Sequence, residues 1–214
     1  AKSAGRLNHP NVVTIHDVIE VGGAPVLVMD LLEGESLREC LEREGRLAPG
    51  VAVDIALAIL SVLSAAHAHG IVHRDLKPEN VFLPQGGPSE ARLLDFGIAK
   101  ITRTDGLQGL STETGAMLGT PHYMAPEQAF GEKDVDGRAD LWALGVLLYE
   151  CLSARRPIDG ENLGQILRAM TECKVKPLLE VAPDVPVELA EIVGALLVER
   201  GARAADADTV SQQL

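Results

Sequence analysis

With 214 residues, 46% of them apolar, the chain is long enough for one domain or two small lobes around a substantial core, and too apolar for a disordered polymer. Its 19 Lys and Arg stand against 31 Asp and Glu, a net charge of −12 that excludes a nucleic-acid-binding surface. Cys40, Cys151 and Cys173 lie far apart with no C-x-x-C pair, which argues against a disulfide framework or a zinc site and fits a reducing, cytoplasmic compartment.

In chain order, AKSAGRL (1–7) reads as the end of a helix, and Asn8-His9-Pro10 stops it, because proline disfavours helix at the residue before it. VVTIHDVIEV (12–21) has strand character, GGAP (22–25) is a turn, and VLVM (26–29) is a second short strand. Ser36 is placed to cap a helix on which Leu37, Cys40 and Leu41 recur at helical spacing. Pro49 suits the first turn of the next helix, which should run to about His69. The stretch 51–72 invites a transmembrane reading, but Asp54, Ser61, Ser64, His67 and His69 interrupt it, so a core helix surrounded by others is expected. NVFLPQGGPSEARLLDF (80–96) reads as a small hairpin around a Gly/Pro turn. Residues 97–125 carry no sustained periodicity, and a loop of that length is either functional or disordered. ADLWALGVLLYECL (139–152) is a strongly apolar helix, and further helices are expected at 162–171, 187–199 and 208–213.

The chemistry concentrates in IVHRDLKPENVFL (71–83). Between two apolar runs, the eight residues His73 to Asn80 hold five side chains able to carry charge: His73, Arg74, Asp75, Lys77 and Glu79. Such polarity beside buried-looking segments implies that something polar is held there. His73-Arg74-Asp75 with Lys77 and Asn80, then Asp95-Phe96-Gly97, then Ala125-Pro126-Glu127 resemble the signature set of protein kinases. Each triplet alone is weak, since an isolated Asp in a turn is more often a local cap. Their order and spacing, over essentially the whole chain, carry the resemblance. GTPHYMAPEQ and Lys77 are of the Ser/Thr type, and the overall pattern is similar to bacterial Ser/Thr kinases of eukaryotic type.

That resemblance implies an α+β, protein kinase-like fold with a mainly helical C-lobe and the last strands of the N-lobe. Residues 1–29 would end the N-lobe, 30–36 form the hinge, and 37–214 form the C-lobe with an activation segment at 95–127. The implied reaction is transfer of the ATP γ-phosphate to Ser or Thr hydroxyls of protein substrates, with Mg²⁺. Asp75 would orient the hydroxyl, Lys77 balance charge on the transferred phosphoryl, and Asn80 and Asp95 offer hard oxygen ligands to Mg²⁺. Gly97 would let the segment after Asp95 swing. Met29 resembles the gatekeeper and Asp30 to Leu32 the hinge that meets adenine, with Phe82 beneath the base and Ser36 or Glu35 near the ribose. Arg74 would pair with a phosphorylated loop whose phosphosites are Thr112 and Thr114. Thr120 would bond near Asp75 and Lys77, and Asp140 would accept backbone N–H groups of the catalytic loop. Glu127 would pair with Arg203, although the proline usual after that arginine is Ala204 here. His73 and Phe96 are read as packing residues and Trp142 as core. Glu79 and the acidic balance would favour basic residues before the target hydroxyl. A kinase dimer for trans-autophosphorylation and a membrane anchor beyond Leu214 also belong to this set of expectations.

The Gly-rich loop, strand lysine and helix glutamate of the family do not occur in the 214 residues: GGAP has the wrong spacing and Lys2 precedes any strand. The chain starts at Ala1, one residue past where the glutamate would fall, so it reads as an excerpt that is inactive and aggregation-prone on its own. Two other classes compete. A partner-binding pseudokinase is opposed by the intact Asp75, Lys77, Asn80 and Asp95. A small-molecule phosphotransferase is opposed by the A-P-E segment and the long phosphorylatable loop.

Overall fold

A computed structural model describes residues 7–94, 121–160 and 162–214. The first strands form a two-stranded antiparallel sheet, β1 (Ile15–Val21) and β2 (Ala24–Met29), paired from Ile15 opposite Met29 to Val21 opposite Ala24 with a shift of register between Ile15 and Asp17. The strand expected from residue 12 starts only at Ile15. The residues before it are drawn to a different sheet: Val13 N donates to Leu93 O (3.1 Å) and Leu93 N donates to Asn11 O (2.8 Å). The β1–β2 ribbon carries its apolar side chains in the open, with Val18, Ile19, Val21, Val26, Val28 and Met29 all exposed.

Beyond Met29 the chain crosses to a second sheet. β3 (Gly34–Ser36), a strand that periodicity did not signal, leads into α1 (Leu37–Glu44) and α2 (Pro49–Ala68). β3 pairs antiparallel with β4 (Val81–Pro84), which pairs with β5 (Arg92–Leu93). Gly34 lies at φ +148°, and a Cβ there would stand 2.1 Å from the Leu83 carbonyl oxygen, so only glycine lets β3 approach β4. Ser36 closes the strand and opens the helix: its Oγ accepts from Glu39 N (3.2 Å) and Ser36 N donates to Glu39 Oε2 (2.8 Å). This reciprocal capping box satisfies two backbone donors at once.

The helical body follows with α3 (Pro126–Ala129), α4 (Arg138–Ser153), α5 (Leu163–Thr171), α6 (Leu178–Val181), α7 (Val187–Leu196) and α8 (Ala207–Gln213). Its centre is α4, buried at every residue from Ala139 to Ser153, which explains why that helix has no polar face. Against it packs α2, with a mean hydropathy of 2.0 and long enough to cross a membrane by length and composition. In the fold Ile55, Ile59, Leu60 and Leu63 of α2 are sealed in the core, the place expected for it. Gly145 permits the close crossing of α4 and α7, since a Cβ there would meet Leu196 Cβ at 2.8 Å. α7 stops at Leu196 rather than near 199, and the Val198 carbonyl beyond it accepts from Arg203 Nη2 (3.0 Å). The four-residue α6 is too short to show a period in the sequence.

Candidate active site

The site is built outward from one buried carboxylate. Asp140, in the first turn of α4 and 1% exposed, accepts Arg74 N at Oδ1 (2.8 Å) and His73 N at Oδ2 (2.9 Å). His67, at the end of α2, adds an Nε2–H bond to Oδ2 (2.8 Å). These bonds hold Arg74 at φ 68°, a left-handed conformation that a non-glycine residue adopts only where its surroundings fix it. The turn throws Asp75 outward, its side chain 59% exposed. Asp75 N donates to His73 Nδ1 (3.2 Å), so the His73 proton sits on Nε2, facing Leu94 O at 3.2 Å.

Three polar side chains meet in front of this support. Lys77 Nζ donates to Asp75 Oδ2 (2.8 Å), and Asn80 Nδ2 donates to Asp75 O (2.7 Å) and Oδ2 (3.0 Å). With both its amide hydrogens so used, Asn80 presents Oδ1 with no hydrogen bond among the described residues. Leu94 N donates to Asn80 O (2.9 Å), which lays the end of β5 beside Asn80. Gln128 on α3 ties the loop to the helical body, with Nε2 donating to Arg74 O (3.1 Å). The exposed Arg74 guanidinium takes no partner among the described residues.

A second buried unit lies behind α3. Arg203 Nη1 donates to Glu127 Oε1 (2.8 Å) and Arg138 O (2.7 Å), and its guanidinium lies 5.0 Å over the ring of the fully buried Trp142. Of the residues assigned to nucleotide, Met29 ends β2 and is exposed, while Phe82 is half-buried on β4 opposite Ser36. Asp30 N donates to Thr14 O (3.1 Å), and its carboxylate bonds His16 Nε2 (2.7 Å). The hydrogen bonds from His16 and Thr14 hold the Asp30 carboxyl below its ordinary range. Leu32 N–H and C=O and Asp30 C=O take no backbone partner among the described residues, so this edge keeps free donor and acceptor groups.

Ser36 takes the helix-cap role its place in the sequence implies, and Glu35 beside it bonds Arg43 Nη2 (2.5 Å). Glu79 is not a free anion: Arg38 Nε donates to its Oε1 at 2.9 Å. Asp95, Phe96, Gly97, Thr112, Thr114 and Thr120 lie outside the described residues. Of the two expected Mg²⁺ ligands, Asn80 lies within the described residues and Asp95 outside them, and among the described residues no group of three or more His, Cys, Asp or Glu could hold a metal ion. Sequence reading missed His67, whose only signal was a histidine at the end of an apolar helix. It also missed the convergence of Arg38, Tyr123 and Glu150, which has no local signal.

The loop that gathers Asp75, Lys77 and Asn80 thus hangs from a buried helical aspartate, beside the small β3–β4–β5 sheet. Residues 1–210 match the protein kinase domain family, and the chain belongs to it. It is 44% identical over 184 residues to the serine/threonine-protein kinase pkn2 of Myxococcus xanthus, covering 86% of this chain and 22% of that protein. It is 41% identical over 193 residues to the serine/threonine-protein kinase PknE of Mycobacterium tuberculosis, covering 90% of this chain and 33% of that protein. The chain thus spans a third or less of the length of these relatives. The crystal structure of Rad53 1–466 in complex with AMP-PNP matches with a TM-score of 0.81 at 24% identity, over 98% of this chain and 52% of that one, which shows the fold.

Proposed function

We propose that the protein carrying this chain transfers the γ-phosphate of ATP to Ser or Thr hydroxyls of protein substrates. The observation that carries the reading is the joining of Lys77 and Asn80 on the outward-facing Asp75 carboxylate. An exposed carboxylate held at fixed geometry is suited to accept the hydrogen of an incoming hydroxyl and align its oxygen. Lys77 keeps a cation beside the point where phosphoryl charge builds. Asn80 Oδ1, hard and without a hydrogen bond among the described residues, together with Asp95, would hold Mg²⁺, which when bound neutralises charge on the nucleotide phosphates. The free backbone groups of Asp30 and Leu32 suit the edge of an adenine, with Phe82 nearby on β4. The exposed Arg74 guanidinium, without a partner among the described residues, suits a phosphate on Thr112 or Thr114, placed by a partner copy of the kinase.

Serine- and threonine-kinase relatives at 41–44% identity support the reading, as does the AMP-PNP bound to Rad53. The test is transfer of labelled γ-phosphate to a serine peptide by the full-length protein and its Asp75→Asn variant. Loss of about 10²–10⁴-fold in the variant, with folding retained, is the expected result. Equal transfer by both proteins would refute it.

A further inference from the structure

Beside the catalytic loop three groups from distant parts of the chain converge on one guanidinium. Arg38 on α1 donates from Nε to Glu79 Oε1 (2.9 Å), from Nη1 to Glu150 Oε1 (3.0 Å) and from Nη2 to the Tyr123 hydroxyl (2.6 Å). Tyr123 in turn donates its hydroxyl hydrogen to Glu150 Oε2, which closes a ring of acceptors. Two carboxylates and a phenol, each meeting a different nitrogen of a planar fork, make a guanidinium receptor. Glu150 and Tyr123 are buried, so the back of the receptor is rigid. Its front is Glu79, 47% exposed and two residues beyond Lys77.

We propose that Arg38 determines specificity by filling from within the chain a receptor that would otherwise take an arginine of the peptide substrate. This rests on the kinase reading above. The charges agree with it. Arg38 and Arg156, whose Nε lies 3.8 Å from Glu150 Oε1 and whose guanidinium lies 5.9 Å over the Tyr123 ring, balance Glu79 and Glu150. Burial and Glu150 push the Tyr123 phenol above its ordinary range, so it stays neutral. The local sum is zero, and the expectation that Glu79 selects basic substrates is replaced by its opposite: this kinase accepts peptides with no basic residue beside the target hydroxyl. A bridge that only ties α1 to α4 would not need Glu79, and its removal would change stability without changing which peptides are used.

The experiment uses the full-length kinase and a serine peptide set in which one arginine is walked through each position around the serine, against an alanine reference. Wild type is expected to give a flat profile in kcat/KM, within about twofold. Arg38→Gln is expected to gain about tenfold or more at one position, mainly through KM, because two charge-assisted acceptors become free. Adding Glu79→Gln should erase that gain, while Glu79→Gln alone leaves the flat profile. Arg38→Lys, which keeps a cation against Glu150 but lacks the fork, serves if the glutamine variant does not fold, with a smaller gain at the same position. Peptide binding by fluorescence anisotropy is read in parallel and needs no phosphate transfer. If no protein transfers phosphate but Arg38→Gln gains affinity for the arginine peptide, the receptor stands and the kinase reading falls. Flat profiles and equal affinities in the folded variants overturn the proposal, as does a wild type that already prefers arginine through Glu79.

Discussion

Arg74 at φ 68° pays about 1–3 kcal/mol for its backbone, and the two oxygens of Asp140 are what make that conformation the stable one. Asp140→Ala would orphan the His73 and Arg74 N–H groups and release the turn. An expected loss of about 2–6 kcal/mol in urea unfolding follows from about 1–3 kcal/mol for each of the two orphaned donors. The transfer rate should fall with it, since Asp75 is aimed by the same turn. His122 contributes a pH dependence at this scale, beside His9, whose imidazole burial also holds below its ordinary value. Burial, and then Arg156, hold the His122 imidazole below the ordinary value. The unfolded chain takes up a proton near about pH 6.5 while the folded chain still resists it. The stability this neutral histidine allows is therefore complete above about pH 6.5, and it drains away as the pH falls from there to the folded pKa. Unfolding midpoints in urea should drop on acidification through that window, and His122→Gln should reduce the dependence, leaving the part that His9 contributes.

At the scale of elements, β3 and α1 share one junction and depend on two small residues. Ser36→Ala removes the capping box at an expected cost of about 1 kcal/mol. Gly34→Ala should cost more, because its Cβ would sit 2.1 Å from Leu83 O and the strand would have to part from β4. Comparing the two variants by urea unfolding checks the order. The cap of α1 was legible because Ser36 precedes a helical repeat of Leu37, Cys40 and Leu41. β3 was not, because three residues cannot show a period and its identity as a strand comes from β4, more than forty positions on in the sequence. The early end of α7 has the same origin, since Arg203 takes a carbonyl that helix propensity does not register.

For the whole molecule, stability is unevenly distributed. The Arg203–Glu127 pair, at 0% and 3% side-chain exposure, joins α3 to the far end of the chain. Arg203→Ala leaves a buried carboxylate alone and should cost about 3–5 kcal/mol, measured by thermal or urea unfolding. At the other extreme, the β1–β2 ribbon has no sheet neighbour among the described residues and exposes its valines on both strands. A two-stranded hairpin is marginal in water. Its amides between residues 15 and 29 should exchange with solvent far faster than those of α2 and α4, and dilution should suppress association through its edges. Equal protection in all three elements would contradict this view of the fold.

The sequence by itself determined what is local or repeated. The long apolar helices, the cap at Ser36 and the contiguous run from His73 to Asn80 are written in neighbouring residues, because 3.6-residue periods and loop chemistry act over a few positions. It also carried the family, since three motifs in order need no distances. Only the tertiary structure decided which side chains are free. Glu79 looks available in the sequence, yet Arg38 reaches it across 41 positions and Glu150 across 112. Asp140 works through His67, 73 positions earlier, for the same reason. Long-range pairing of charges depends on how α1, α2 and α4 pack, and packing sums apolar contacts from the entire chain, which no short window of residues contains.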